Sequence, residues 1–290
     1  MSRRPESRYA NHSDRRARAE TALGHDAMVA IERTAIVLAR LAGAEIVSAL
    51  GGRRDVHYKS IEEGAYLDPV SEVDHAVETI IRAILAERFP DHDIIGEEIA
   101  ERPSHGHDVV WVIDPVDGTA NFVNGFPLFS ASIGVVWRGC PIAGALWCST
   151  SHTLRSGVYH ARAGGGLGFD ETPVESGPDP AVRRRLVGDP RGDLPQSSPF
   201  EARKTGSAAL ECAFVAAGLL AAARFARPNV WDVAGGIALV EAAGGVVAEH
   251  GPDGAWRPFE AFPSDLASWR AQLAIAGSEG ALADLGVDGG

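Results

Sequence analysis

Little in this 290-residue chain invites covalent cross-linking or membrane insertion. Cysteine is scarce: Cys140, Cys148 and Cys212 make an odd number with no Cys-x-x-Cys pair. Their neighbours are mostly apolar, so they read as buried reduced thiols of a cytoplasmic protein, not as a disulfide framework. No run approaches the ~18 consecutive apolar residues that span a bilayer. No apolar run directly follows the basic first twenty residues, which excludes a secretory signal there. Lysine is rarer still. Neither Lys59 nor Lys204 follows a Gly-x-x-x-x-Gly loop, and no Gly-x-Ser-x-Gly occurs, so P-loop and serine-hydrolase readings fail. Net positive charge is also lacking. At -12 the surface repels polyanions, which argues against nucleic acid as a partner. Small phosphates stay open if metal ions supply the positive charge locally.

What is present fits a globular enzyme, with 45% hydrophobic and 23% charged residues. Residues 1–25, rich in arginine, read as a flexible basic tail. Apolar spacing predicts helices over about 27–50 and 73–85. Val109 to Ile113 is a short continuous apolar run, the mark of a strand buried on both faces. Phe129–Trp137 and Pro141–Cys148 read as strands joined by a tight turn at Arg138-Gly139. A boundary within 150–185 divides an N-terminal half, 26–160, from a C-terminal half, 161–290. The latter alternates strands near 185, 222, 246 and 272 with helices near 207–220 and 232–243. No internal repeat occurs. The alternation argues an α/β fold.

The chemistry concentrates in acids. Glu72, Glu78 and Glu87 read as a solvated helix face. Asp114 and Asp117 do not. Asp114 directly follows a buried strand, where α/β folds place ligand sites, and Pro115 is expected to force a turn. Two carboxylates so close repel each other unless a cation lies between them. Oxygen donors without a nearby Cys or His cluster favour Mg²⁺. Gly118-Thr119 then opens a turn whose backbone N–H groups suit a phosphate. Asp232 is expected to cap the helix that it opens.

Gly96-Glu97-Glu98, Trp111-Val-Ile-Asp-Pro-Val-Asp-Gly-Thr-Ala-Asn-Phe122, Trp231-Asp232-Val-Ala-Gly-Gly236 and Asp68-Pro-Val-Ser-Glu-Val-Asp74 together resemble the inositol monophosphatase family, over about residues 26–280. The resemblance implies a layered αβαβα sugar-phosphatase fold, shared with fructose-1,6-bisphosphatase, usually as a homodimer. It also implies Mg²⁺-dependent, Li⁺-sensitive hydrolysis of an inositol-1-phosphate-like phosphomonoester by metal-activated water, with two or three Mg²⁺ ions. Glu97, Asp114 and the Val116 carbonyl would hold the first ion. Asp114, Asp117 and Asp232 would hold the second, and Glu97 would touch a third. Asp68 would orient Thr119, and Thr119 with Glu97 would position the water. Gly118 and Thr119 would hold the phosphate, and Lys59 matches a basic residue of the family's mobile loop.

Gly206, Ser207 and Ala208 resemble the segment lining the leaving-group pocket. Phe225 stands where inositol-specific members carry Glu, between Arg224 and Arg227. A ring that cannot accept hydrogen bonds weakens selection for polyol hydroxyls. Histidinol phosphate and 3′(2′),5′-bisphosphate nucleotides are therefore alternative substrates. Some relatives act as regulatory partners of the transcription machinery, a non-enzymatic alternative to which the basic tail alone points.

Overall fold

The computed structural model describes residues 11–50, 56–58, 69–100, 106–175, 177, 181–192, 194 and 198–287. The helices are α1 (Asn11–Leu23), α2 (His25–Leu50), α3 (Glu72–Arg88), α4 (Thr119–Asn124), α5 (Ala208–Ala216), α6 (Val230–Ala242) and α7 (Glu279–Asp284). Strands β1 (Val56–Tyr58) and β2 (Pro69–Ser71) form a small antiparallel ribbon. The first large sheet runs in chain order through β3 (Asp93–Gly96), β4 (Val109–Asp117), β5 (Ser130–Trp137), β6 (Cys140–Cys148), β7 (Gly157–Arg162), β8 (Gly168–Phe169) and β9 (Thr172–Pro173). The second contains β10 (Arg185–Gly188), β11 (Phe200–Arg203), β12 (Ala222–Phe225), β13 (Val246–His250), β14 (Trp256–Pro258) and β15 (Gln272–Ala276), ordered β11-β10-β12-β15-β13-β14.

Alternation along the central strands sets the layers. On β4, Trp111 and Ile113 pack with Ile31, Leu38 and Ile81 of α2 and α3, whereas Val112 packs with Leu210 and Ile237 of α5 and α6. Helices α5 and α6 therefore lie between the two sheets, while α7 contacts β15. This is the expected layered α/β arrangement. The two middle helices meet apolar neighbours on nearly every side, which their small, apolar sequences satisfy. The expected Arg138-Gly139 turn joins β5 to β6, with both residues at positive φ (49° and 81°), the twist a two-residue hairpin prefers.

Several local expectations are corrected. Of the segment read as a flexible tail, residues 11–23 form α1, and Arg15 reaches Glu260 at 2.6 Å. Glu78 is fully buried, not solvated. Its carboxylate accepts from Arg82 Nε at 2.7 Å and from the backbone N–H groups of Glu98 and Ile99 at 2.7 and 3.2 Å. A buried acid is tolerated when so many donors converge on it. Among the described residues, no helix is long and apolar enough to cross a membrane.

Candidate active site

Strand β4 does not stop before Asp114; it continues to Asp117 across a bulge. Pairing with β3 ends at Gly96–Ile113, so Pro115 sits on an edge where its missing N–H breaks no ladder bond. The bulge places Asp114 opposite Ser132 and Asp117 opposite Ser130. Chain reversal comes only at Gly118, whose φ of 87° favours glycine.

Asp232 comes from α6, which lies directly on the first sheet. Gly134 of β5 faces Gly144 of β6 in register, and Gly235 of α6 rests on both. Asp232 occupies the third helical position and is not the cap. Helix α6 begins at Val230 with Asn229 as its cap, and the Asp232 carboxylate accepts from the Asn229 backbone N–H at 2.7 Å.

Glu97, Asp114 and Asp232 each offer a carboxylate oxygen, and these oxygens lie within 4.8 Å of one another. Burial first, then Glu97, Asp117, Asp232 and Asp74, push the Asp114 carboxyl well above the ordinary range. Asp232 is pushed up to about 7 by burial and by Asp117, against the hydrogen bonds from Asn229. So much convergent negative charge in a partly dry site is relieved by a cation. The donors are all oxygens, with no His or Cys in the cluster, which fits a hard ion such as Mg²⁺.

Asp117 is turned to a neighbouring task. It accepts from the hydroxyls of Ser207 and, at 3.0 Å, Ser130. The backbone N–H groups of Ala208 and Ala209 add bonds of 3.2 and 2.8 Å. It thus anchors the first turn of α5, where a carboxylate is favoured. The Val116 carbonyl accepts from the Thr119 hydroxyl at 2.8 Å.

That hydroxyl also reaches the Asp74 carboxylate at 3.3 Å. Asp68 and Lys59 lie outside the described residues, so among the described residues the acid beside Thr119 is Asp74. Sequence reasoning passed over it, although the signal was there. Asp74 lies on the inward stripe of α3 with Val77, Ile81 and Leu85, and is 1% exposed.

On the pocket side, Asn121 Nδ2 donates to the carbonyls of Leu128 (2.5 Å) and Thr205 (2.7 Å), tying α4 to the Gly206-Ser207-Ala208 segment. Phe225 is buried in the core, and Arg224 is paired with Asp189, 3.0 Å from its Nε. Thr205 is held from below by Glu211, which accepts from its hydroxyl at 2.8 Å and its N–H at 3.3 Å.

Burial outweighs those bonds and pushes Glu211 up to about 7 from 4.5. Its folded form holds a proton that the unfolded chain has lost. The associated stability is complete below about pH 4.5 and disappears as pH rises through 7. It amounts to at most roughly 3 kcal/mol. Glu211→Gln should flatten this slope. Urea midpoints of the metal-free proteins at pH 5 and 8.5 test it, and equal slopes in both proteins would exclude the effect.

The sequence pattern of the Inositol monophosphatase family matches residues 28–278. The chloroplastic phosphatase IMPL1 of Arabidopsis thaliana is 33% identical over 73% of the chain, which covers 60% of that longer protein. Nus factor SuhB of Xylella fastidiosa is 32% identical over 73% of the chain and 78% of its own length. The IMPase structure from Thermotoga maritima superposes with a TM-score of 0.67 at 26% identity, over 87% of this chain and 93% of that one.

Proposed function

The chain belongs to the inositol monophosphatase family, and from that premise we propose that it is a Mg²⁺-dependent phosphomonoesterase acting at the Glu97–Asp114–Asp232 centre. The observation that carries the reading is the convergence of these three carboxylates beside the Gly118-Thr119 turn. Glu97, Asp114 and Asp232 would hold the cation, with Asp117 and the Val116 carbonyl completing the set. Bound cations would supply Lewis-acid charge to the phosphoryl oxygens and lower the pKa of the attacking water.

The chain's own residues orient the reactants. The Thr119 hydroxyl spends its proton on Val116 O and Asp74, leaving its oxygen free to accept from the attacking water. With Glu97 it would hold that water against phosphorus. The N–H groups at Gly118 and Thr119 would receive the phosphate oxygens. Gly206, Ser207 and Ala208 would border the leaving group. Li⁺ inhibition, a homodimer and a cytoplasmic setting belong to the same reading, the dimer being open to light scattering.

An assay of phosphate release from some twenty small phosphomonoesters tests this. Turnover of inositol 1-phosphate or a related ester is expected with Mg²⁺, and loss of it with EDTA. No release from any ester at any Mg²⁺ concentration would defeat the proposal. The relative named Nus factor SuhB motivates the regulatory alternative. A catalytically dead Asp114→Asn chain that restores a deletion phenotype in cells would favour it.

A further inference from the structure

Helices α5 and α6 both begin at the carboxylate centre, through Ser207 and Asp232. Both also end at one cavity of about 440 Å³, lined by Val215 and Ala216 of α5, Val240 of α6 and Leu186 of β10. Val215 follows Ser207, and Val240 follows Asp232, by eight residues, about 12 Å of helix. The cavity is therefore separate from the centre.

It is open because its walls are short. Ala216, Gly218, Ala221, Ala243, Gly245 and Gly277 line it and cannot fill the space. Val215, Leu220 and Val240 are buried there, whereas Val182 and Leu219 at its rim are 51% and 41% exposed. Apolar surface left in water at the mouth of an apolar cavity favours a ligand that covers it. A concave site of this size and lining suits a small molecule.

The charged side chains lining the cavity are Arg184 and Arg185, with no acid among the described lining residues. Arg185 is 3.0 Å from Asp284, and Arg184 Nε is 3.4 Å from Glu201. The Arg184 side chain is 71% exposed, and so exposed a pair holds weakly, so a bound carboxylate can take the place of Glu201. The helix ends do not oppose an anion strongly. The Phe214 carbonyl accepts from the Leu219 and Leu220 N–H groups, and the Val240 carbonyl from Gly245.

We infer that this cavity binds a small amphipathic carboxylate, with its hydrocarbon part against Val215, Leu220 and Val240 and its head group at Arg184. Hydrocarbon burial supplies the affinity, and the guanidinium fork selects the head group.

Isothermal titration calorimetry on the full chain tests this with hexanoate, octanoate and decanoate, each below its aggregation concentration. Each pair of added methylenes should tighten binding by about tenfold until the cavity is full. Octanoate should bind about three- to fivefold tighter than octan-1-ol, and Arg184→Gln should erase that difference. Ala243→Leu, which fills the space, should weaken octanoate by about tenfold or more. Leu219→Asp, at an exposed position, should do the same, so the test stands even where Ala243→Leu perturbs the fold. Excess inorganic phosphate with Mg²⁺ should not compete. No saturable binding, binding unmoved by both Ala243→Leu and Leu219→Asp, or displacement by phosphate would overturn the inference. Octan-1-ol binding as tightly as octanoate, or a head-group preference that survives Arg184→Gln, would overturn it as well.

Discussion

Asp114→Asn is expected to lower kcat/KM for any accepted phosphomonoester by about a thousandfold, the rate equivalent of several kcal/mol of lost charge stabilisation. The same change is expected to raise the melting temperature of the metal-free protein. Asp114 is 2% exposed and faces Glu97, Asp117, Asp232 and Asp74. Without a cation, its charge is both desolvated and repelled. Asparagine keeps the shape and can still accept from the Val116 N–H, 3.1 Å away in the wild type, yet brings no charge. Each kcal/mol recovered should appear as about 2–4 °C. Adding Mg²⁺ should reverse the order, because the wild type gains stability by binding whereas the variant gains less. Thermal melts in EDTA and in Mg²⁺, beside phosphate release, measure all three effects. Wild-type turnover in the variant would remove Asp114 from the centre, and an unchanged EDTA melt would show that its charge is not a burden.

Gly144→Ala should be the most damaging change away from the carboxylates. A Cβ at Gly144 would lie 2.8 Å from the Gly235 carbonyl carbon and 2.9 Å from its Cα. Gly134, its partner across the hairpin, is equally closed: a Cβ there would sit 2.6 Å from the Gly235 amide nitrogen. These are backbone atoms inside a packed helix, so nothing can swing aside. Overpacking of this kind costs about 1–3 kcal/mol, and relief requires α6 to lift off the sheet. Asp232 lies one turn from Gly235, so the lift also opens the carboxylate cluster. Turnover should fall by roughly tenfold or more, as sub-ångström misplacement allows, with Mg²⁺ affinity falling too. A variant that is destabilised yet binds and turns over normally would show that α6 adjusts without moving Asp232.

The acids at strand and helix ends were legible in the sequence because their signals are local. Asp114 follows an apolar run, Asp232 lies in the first turn of a helix, and the surrounding motifs fix their order. The layered fold was legible in the alternation of strands with small-residue helices. Glu78 was not, because the donors that permit its burial include the N–H groups of Glu98 and Ile99, supplied by a different element. The bulge that carries β4 through Pro115 lies in its pairing with β5, between Asp114 and Asp117, which spacing does not reveal. Asp117 reads in sequence as half of a pair with Asp114, yet the structure also ties it to Ser207 and Ala209, which lie far along the chain. Asp74 was hidden among acids of α3, of which Glu72 and Glu87 do face water.

The anchoring of α5 by Asp117 has a consequence for folding kinetics. Asp114 lies on β4 and Glu97 directly follows β3 of the same sheet, Asp232 lies in α6, and Asp117 reaches across to the start of α5. These groups come from elements far apart along the chain and meet only once β4, α5 and α6 have packed together, so the centre forms late. Interactions absent from the folding transition state slow unfolding and leave refolding almost untouched. A cation seated there would act as a latch on an assembled protein, lengthening the life of the native state while giving the nascent chain no help in reaching it.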